Sequence, residues 1–263
     1  AEEAPARDAR GRHQGLHLTF ASTRGRRSNP LRMKPPCFGW RDYWRMLTSG
    51  RPWLPWRYFR DAHAFDLRRG TDTHVRLRKE DFGVEPMDFA DGTFYMASWT
   101  SEIDWAFRET RALLGSEFDR FSFIDVGCGK GKAVLRWTEL ADGAGYSQRI
   151  MGFDYHQPLV EIARRNHTKL LGTPGNLTVA GADDFDFGPL GERILCFLYN
   201  PFGPAVMRRF LERLRGYDVV LIYNHPAEDA TLRELGFVAL RIKDGGCPNA
   251  HTVIYANRRR AAT

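Results

Sequence analysis

Apolar and polar positions change rhythm after Glu117. From there short apolar runs alternate with segments of helical period. Phe121–Val126, Arg149–Asp154, Leu177–Ala180, Ile194–Tyr199 and Val219–Tyr223 read as strands. Ile194–Tyr199 is apolar throughout, as expected of a strand buried on both faces. Lys132–Leu140, Pro158–Leu170 and Pro204–Arg215 read as the intervening helices. The last has apolar residues at 206, 207, 210, 211 and 214, with Pro204 at its start and Gly216 behind it. A short helix at Ala227–Leu235 stops at Gly236. Phe237–Ile242 and Thr252–Ala256 are two strands joined by a Gly/Pro/Asn turn. No helix separates them, so they must pair antiparallel. This alternation predicts an α/β fold: a seven-stranded, mainly parallel sheet covered on both faces, its last strand antiparallel.

Upstream the rhythm is less regular. Ser101–Leu114 carries apolar residues at 103, 106, 107, 113 and 114 and ends at Gly115, which predicts an amphipathic helix. Residues 81–99 read as a loop-rich link. Arg41–Leu47 and Pro55–Phe65 read as short helices, broken at Gly50, Pro52 and Pro55. Trp40, Tyr43, Trp44, Trp53, Trp56, Tyr58 and Phe59 crowd this stretch. Aromatics interleaved with arginines can stack nucleobases. The expectation here is packing of a small helical subdomain on a larger domain. Residues 1–35 are rich in Ala, Arg, Gly and Ser and show no period. They read as a basic, disordered or weakly ordered tail. The predicted organisation is a tail at 1–35, a helical substrate or lid subdomain at 36–115, and the sheet domain at 116–263.

Composition narrows the picture. The 263 residues are 43% hydrophobic and 13% aromatic, enough for a core and against wholesale disorder. The longest uncharged run is the fourteen residues Ile194–Met207, interrupted by two prolines. A membrane-spanning helix needs about 20 apolar residues. No secretory signal is visible, so the expectation is a cytoplasmic protein without membrane contact. The cysteines at 37, 128, 196 and 247 have no C-x-x-C spacing, so reduced thiols and no metal site are expected. Residues 1–80 hold 18 Lys+Arg against 8 Asp+Glu; residues 81–263 hold 21 against 24. The basic front suits nucleic acid, an acidic protein or a membrane surface, or is only a solvated tail.

The strongest local signal is FIDVGCGKGKAVL, Phe123–Leu135. A strand ends at Asp125-Val126 and runs through Gly127, Gly129 and Gly131 into a helix. Glycines permit positive φ and close backbone approach. The helix start is expected to offer free N–H groups to an anion. The dinucleotide fingerprint G-x-G-x-x-G fails, because the third glycine comes one residue early, and the P-loop spacing to Lys132 fails too. The pattern resembles the first motif of class I S-adenosylmethionine-dependent methyltransferases. GFDYHQPLVEIARRN (152–166), AGADDF (180–185) and LYNPFG (198–203) are similar to later motifs of that superfamily in the same order. FDLRRGTDT (65–73) and FYMASWTSEIDWAF (94–107) look like pieces preceding the glycine loop in bacterial members of ill-defined substrate. The loop and the NPFG turn are also similar to one class of lysine methyltransferases.

The resemblance implies a Rossmann-like fold, S-adenosylmethionine as cofactor, and methyl transfer. It assigns cofactor binding to Asp125, Gly127, Cys128, Gly129, Gly131, Asp154, Tyr155, Asp183 and Asn200. Asp154 would grip both ribose hydroxyls, which suits a carboxylate that accepts two hydrogen bonds. Tyr155 would pack on adenine and Asp183 accept from its amino group. Asn200-Pro201-Phe202 is similar to the [DN]-P-P-[FYW] turn of amino-nitrogen methyltransferases, where the Asn oxygen accepts the amine N–H. Here the second proline is missing and Gly203 follows. A plain turn after a core strand is the other reading. His225 is a possible general base, or a packing residue. Tyr95, Trp99 and Glu102 suit a lid over the cofactor, or a core role. The expected activity is methyl transfer to nitrogen or oxygen of a small molecule or peptide by in-line displacement, without metal. The alternatives are a protein or nucleic-acid acceptor docked on the basic front, or a non-enzymatic cofactor-binding module.

Overall fold

The computed structural model describes residues 40–74, 76–77 and 95–257, all within one compact unit, Met33–Thr263. The expected tail at 1–35, residues 81–94 of the expected link, and Cys37 lie outside the described residues. Seven strands form one sheet: β1 (Ser122–Val126), β2 (Ile150–Asp154), β3 (Asn176–Val179), β4 (Arg193–Tyr199), β5 (Asp218–Asn224), β6 (Val238–Asp244) and β7 (His251–Ala256). Their spatial order is β3-β2-β1-β4-β5-β7-β6. The first five are mutually parallel. β7 runs antiparallel to both its neighbours, β5 and β6. This is the mixed sheet that the strand pattern predicts. The last connection lacks a crossover helix, so β7 can only return against β6.

Alternation along the strands divides the core. Ile124, Cys196, Leu198, Leu221 and Tyr223 face Met207, Phe210 and Leu211 of helix α7 (Pro204–Arg213). Phe123, Leu195, Phe197, Val220 and Ile222 face the other way, onto Ile103, Ala106 and Phe107 of α4 (Thr100–Leu114) and Ala133 and Trp137 of α5 (Lys132–Gly143). Phe123 and Trp137 stack with centroids 4.1 Å apart. α6 (Gln157–Leu171) packs Val160 and Ala163 near Val134 and Leu177. The short α8 (Asp229–Glu234) precedes β6.

Before α4 the structure departs from the pattern-based reading. α1 (Trp40–Thr48) and α2 (Leu54–Tyr58) are followed by a π-helical turn, Phe59–His63, and α3 (Ala64–Arg69). The wider turn buries Asp61 and Ala62 and leaves Phe59 and Arg60 exposed. Arg76–Leu77 pairs antiparallel with Tyr95–Met96, and the latter lies inside what reads as a loop-rich link, 81–99. The expected packing of the aromatics is corrected in part. Tyr58 packs with Trp99 in a small buried cluster, but Trp44, Trp53 and Trp56 are 62%, 45% and 69% exposed.

Candidate functional site

In an open parallel sheet the crevice lies beyond the C-terminal strand ends, where strand order reverses, here between β1 and β4. A cavity of about 790 Å³, mouth included, sits there. Its walls are Asp125 near the end of β1, Gly127 and Cys128 after it, Lys132 and Ala133 of α5, and Phe153–Tyr155 at the end of β2. Leu159, Ala180–Ala182 after β3, and Tyr199, Pro201 and Phe202 after β4 complete them, with Tyr95–Ser98 as a roof.

The glycine loop is shaped by close approach as much as by φ. Gly129 has φ +51°, and a Cβ there would lie 2.0 Å from the Tyr95 ring. Gly127 has φ +74°, and its Cβ would meet Pro201 at 2.8 Å. Tyr95 is held in place by its hydroxyl, which donates to the Thr73 carbonyl (2.8 Å) and accepts from the Lys130 N–H (3.3 Å). The segment carrying Thr73 is itself organised by one carboxylate. Asp66 accepts from Thr71 Oγ1 (2.6 Å), Thr73 N–H and Oγ1 (3.0 and 2.8 Å) and His74 N–H (2.8 Å). Asn166 of α6 then joins this segment to the loop. It accepts from the Asp72 N–H (3.0 Å) and donates to the carbonyls of Asp72 and Lys130 (3.0 and 3.1 Å).

The expected free N–H groups belong to the start of α5, which has no side-chain cap; those of the loop before it are engaged. Those of Gly127 and Cys128 donate to the Phe153 carbonyl, and that of Gly131 to the Cys128 carbonyl. Gly129 N–H donates to Asp154 Oδ2 at 2.9 Å, and Lys130 N–H to Tyr95. All five are engaged within the protein.

Asp154 is buried at the end of β2. Oδ1 accepts from the His156 N–H at 2.9 Å, and each carboxylate oxygen keeps a further lone pair. Burial pushes this carboxyl up to about 6, opposed by its two backbone hydrogen bonds. Asp125 is 5% exposed, lines the cavity, and has no hydrogen bond to its carboxyl among the described residues. Burial, with the charge of Asp154 added, pushes it up to about 8. Burial also raises the Cys128 thiol, so it is held protonated.

Of the sequence-predicted residues, Asp125, Gly127, Cys128, Asp154, Tyr155, Pro201 and Phe202 come together on the cavity wall. Gly129 and Gly131 belong to the loop without lining the cavity. Asp183 is exposed and turned to the surface. Arg209 of α7 binds it through two nitrogens, which holds its carboxyl below the usual range. Asn200 and His225 end β4 and β5 in left-handed conformations, φ 40° and 54°, and neither lines the cavity. Asn200 Oδ1 accepts from the Tyr223 hydroxyl at 3.1 Å. The half-buried His225 is lowered by burial and then by His251. Among the suggested lid residues only Tyr95 lines the cavity. Trp99 and Glu102 are built into packing.

Sequence reasoning passed over Lys132, Asp66 and Asn166. Asn166 was findable, since it falls on the apolar stripe of α6 at the spacing of Leu159 and Ala163. Among the described residues, no group of three or more His, Cys, Asp or Glu is placed to hold a metal, and no helix is long and apolar enough to cross a membrane.

No protein-family model and no curated protein matches the chain. Among solved structures it is similar to a mutant of MtNAS in complex with S-adenosylmethionine (13% identity, TM-score 0.41), covering 60% of this chain and 62% of that one, less than two thirds of its length. It is similar to magnesium protoporphyrin IX methyltransferase from Synechocystis PCC 6803 with bound S-adenosylmethionine (15%, TM-score 0.45), covering 78% and 96%. It is also similar to ribosomal protein L11 methylase from Lactobacillus delbrueckii subsp. bulgaricus (14%, TM-score 0.40), covering 60% and 77%. At these scores the functional reading rests on the geometry of the site.

Proposed function

We propose that this chain is an S-adenosylmethionine-dependent methyltransferase acting on nitrogen or oxygen of a small-molecule or peptide acceptor by in-line displacement. One observation carries the reading. The buried Asp154 carboxylate ties the end of β2 to Gly129 and faces the cavity with lone pairs on both oxygens. That is an acceptor for a vicinal diol such as a ribose.

The other walls fit the same cofactor. The unpartnered Asp125 carboxyl, mostly protonated at neutral pH while no cation is near, suits an ammonium whose charge restores its ionised form. The small residues Ala180–Ala182, with Phe153 and Tyr155, suit the faces of a planar base. When bound, the cofactor supplies a sulfonium methyl group, an electrophile that needs no further activation. The chain's own residues bind, orient and exclude water. Tyr199, Pro201 and Phe202 form the wall against which an acceptor atom is aligned. Tyr199 is fixed by its hydroxyl, which donates to Asn249 Oδ1 at 2.7 Å.

Calorimetric titration with S-adenosylmethionine, S-adenosylhomocysteine and NAD tests the reading. The two sulfur nucleosides bind and NAD does not. Asp154→Ala weakens both by roughly 30-fold or more, the loss of two hydrogen bonds to a charged group. Binding of NAD alone, or of none of the three, overturns it.

A second reading has its own support. Exposed Trp44, Trp53 and Trp56 stand among exposed Arg45, Arg51 and Arg60. A protein or nucleic-acid acceptor docked on this basic, aromatic region would use them.

A further inference from the structure

Between Tyr43 and Gly70 the helical run has two apolar sides. The inner one is satisfied. Tyr43 and Met46 of α1, Tyr58 of α2 and Ala62 of the π turn pack with Trp99 and Ala250. The outer one faces water. Trp44 and Leu47 stand three residues apart on α1, one position on from Tyr43 and Met46, and both are exposed. Trp53, Trp56 and Phe59 are exposed on the following run, where the rings of Trp56 and Phe59 stack with centroids 6.3 Å apart. Phe59 neighbours His63 (centroids 6.4 Å), and four residues further on Leu67 is 70% exposed. Helices apolar on both sides need a second apolar partner besides the core. Every exposed charged residue between Tyr43 and Gly70 is an arginine: Arg45, Arg51, Arg60 and Arg68. The two carboxylates of that stretch are engaged within the protein: Asp61 is buried and accepts from Ser101, and Asp66 accepts from Thr71, Thr73 and His74. Indole, phenyl, leucine and guanidinium without an exposed carboxylate suit a lipid interface. There Trp rings lie at headgroup level, leucines reach acyl carbon and arginines meet anionic headgroups. Leu47 and Leu67 give a nucleobase neither a ring to stack on nor a hydrogen bond. Two of the indoles already give a ring side to the protein, Trp56 to Phe59 and Trp53 to the Arg57 guanidinium, 5.7 Å from its centre.

We propose that the outer side of α1, α2, the π turn and α3 is a docking surface for an anionic phospholipid bilayer. Docking is peripheral, since among the described residues no helix is long and apolar enough to cross a membrane. It departs from the expectation of a protein without membrane contact, and it does not depend on the methyltransferase reading. Asp66 lies on the same run. Its bonds to Thr73, and the Thr73 carbonyl's bond to Tyr95, join this surface to the roof of the cavity. The chain ahead of α1 is itself basic, with eight Lys+Arg against three Asp+Glu in residues 1–39. It offers no counter-charge to the arginines and attracts the same lipids, so the apolar contacts decide the matter.

The test sediments the full chain with vesicles of phosphatidylcholine alone or mixed with phosphatidylglycerol. Wild type binds the mixed vesicles about tenfold or more tightly than the neutral ones. Phosphatidylcholine brominated on its acyl chains, in the mixed vesicles, quenches the tryptophan fluorescence. Trp56→Ser and Leu67→Gln each weaken binding about fivefold or more, with melting temperatures unaltered because both side chains are exposed. Should either variant not fold, Trp44→Ser and Leu47→Gln on α1 are read by the same criteria. Absence of vesicle binding, or equal affinity for neutral and mixed vesicles, overturns the surface. So does binding that either variant leaves unchanged or that brominated lipid fails to quench, which is attraction by charge alone. A single-stranded oligonucleotide bound in preference to vesicles, weakened by Trp56→Ser and indifferent to Leu67→Gln, gives the region to nucleic acid and overturns lipid docking.

Discussion

At Asp125 folding carries a carboxyl from water into a wall 5% exposed, beside the charge of Asp154. Its pKa rises from 3.8 to about 8. The folded chain thus holds this proton more tightly than the unfolded chain. The stability it contributes is complete below pH 3.8 and is lost as pH rises through about 8. Asp125→Asn removes that loss. Thermal melts should show the variant more stable than wild type at alkaline pH, by on the order of 5 °C, with the gap closing toward acid. A gap independent of pH would refute the buried acid. The same residues show what a sequence discloses about a site. Gly127, Gly129, Asp154, Pro201 and Phe202 were legible because each lies at a strand end or within a few residues of one, and strand ends converge. Lys132 was not, because its environment is made by Asp61 and Phe65, distant in the chain. Asp183 read as a ligand group, but Arg209, one helix later, turns it outward.

Among the elements, α4 is tied to β6 and β7 by Glu102. This carboxylate is fully buried and accepts from Lys243 Nζ (2.7 Å) and Thr252 Oγ1 (2.8 Å), with Arg57 at 3.6 Å. Glu102→Gln keeps the shape and leaves two cations facing a neutral amide. Lys243 and Arg57 remain about a fifth exposed, so the cost belongs near the low end for buried pairs, about 3 kcal/mol. The melting temperature should fall by about 6–10 °C while affinity for S-adenosylhomocysteine is unchanged. An unaltered melting temperature would show that the cluster adds no net stability. The seven strands and the helices between them were legible because β–α alternation admits few arrangements. The π-helical turn and the 76–77/95–96 ribbon were not. A π turn differs from an α turn by one residue, and a two-residue ribbon has no period to detect.

On the scale of the whole molecule, charge and exposure point to one region. The first 80 residues hold 18 of the 39 basic side chains, and exposed Trp44, Trp53 and Trp56 lie within that stretch. If the acceptor is a nucleic acid, affinity for a labelled single-stranded oligonucleotide falls by orders of magnitude between about 50 and 200 mM salt. Trp56→Ala then weakens it by roughly 1–3 kcal/mol, one stacked base. A flat salt response, or indifference to Trp56, leaves the small-molecule or peptide acceptor. Strand order carries one more consequence. β6 is made before β7, yet among the described residues its only partner in the sheet is β7, which also covers the open edge of β5. A chain emerging from the ribosome can assemble β1 to β5 as each appears. It then carries an unpaired strand and an uncovered edge until β7 slides between them. Synthesis therefore passes through a stage in which two rows of backbone donors and acceptors stand open to other chains.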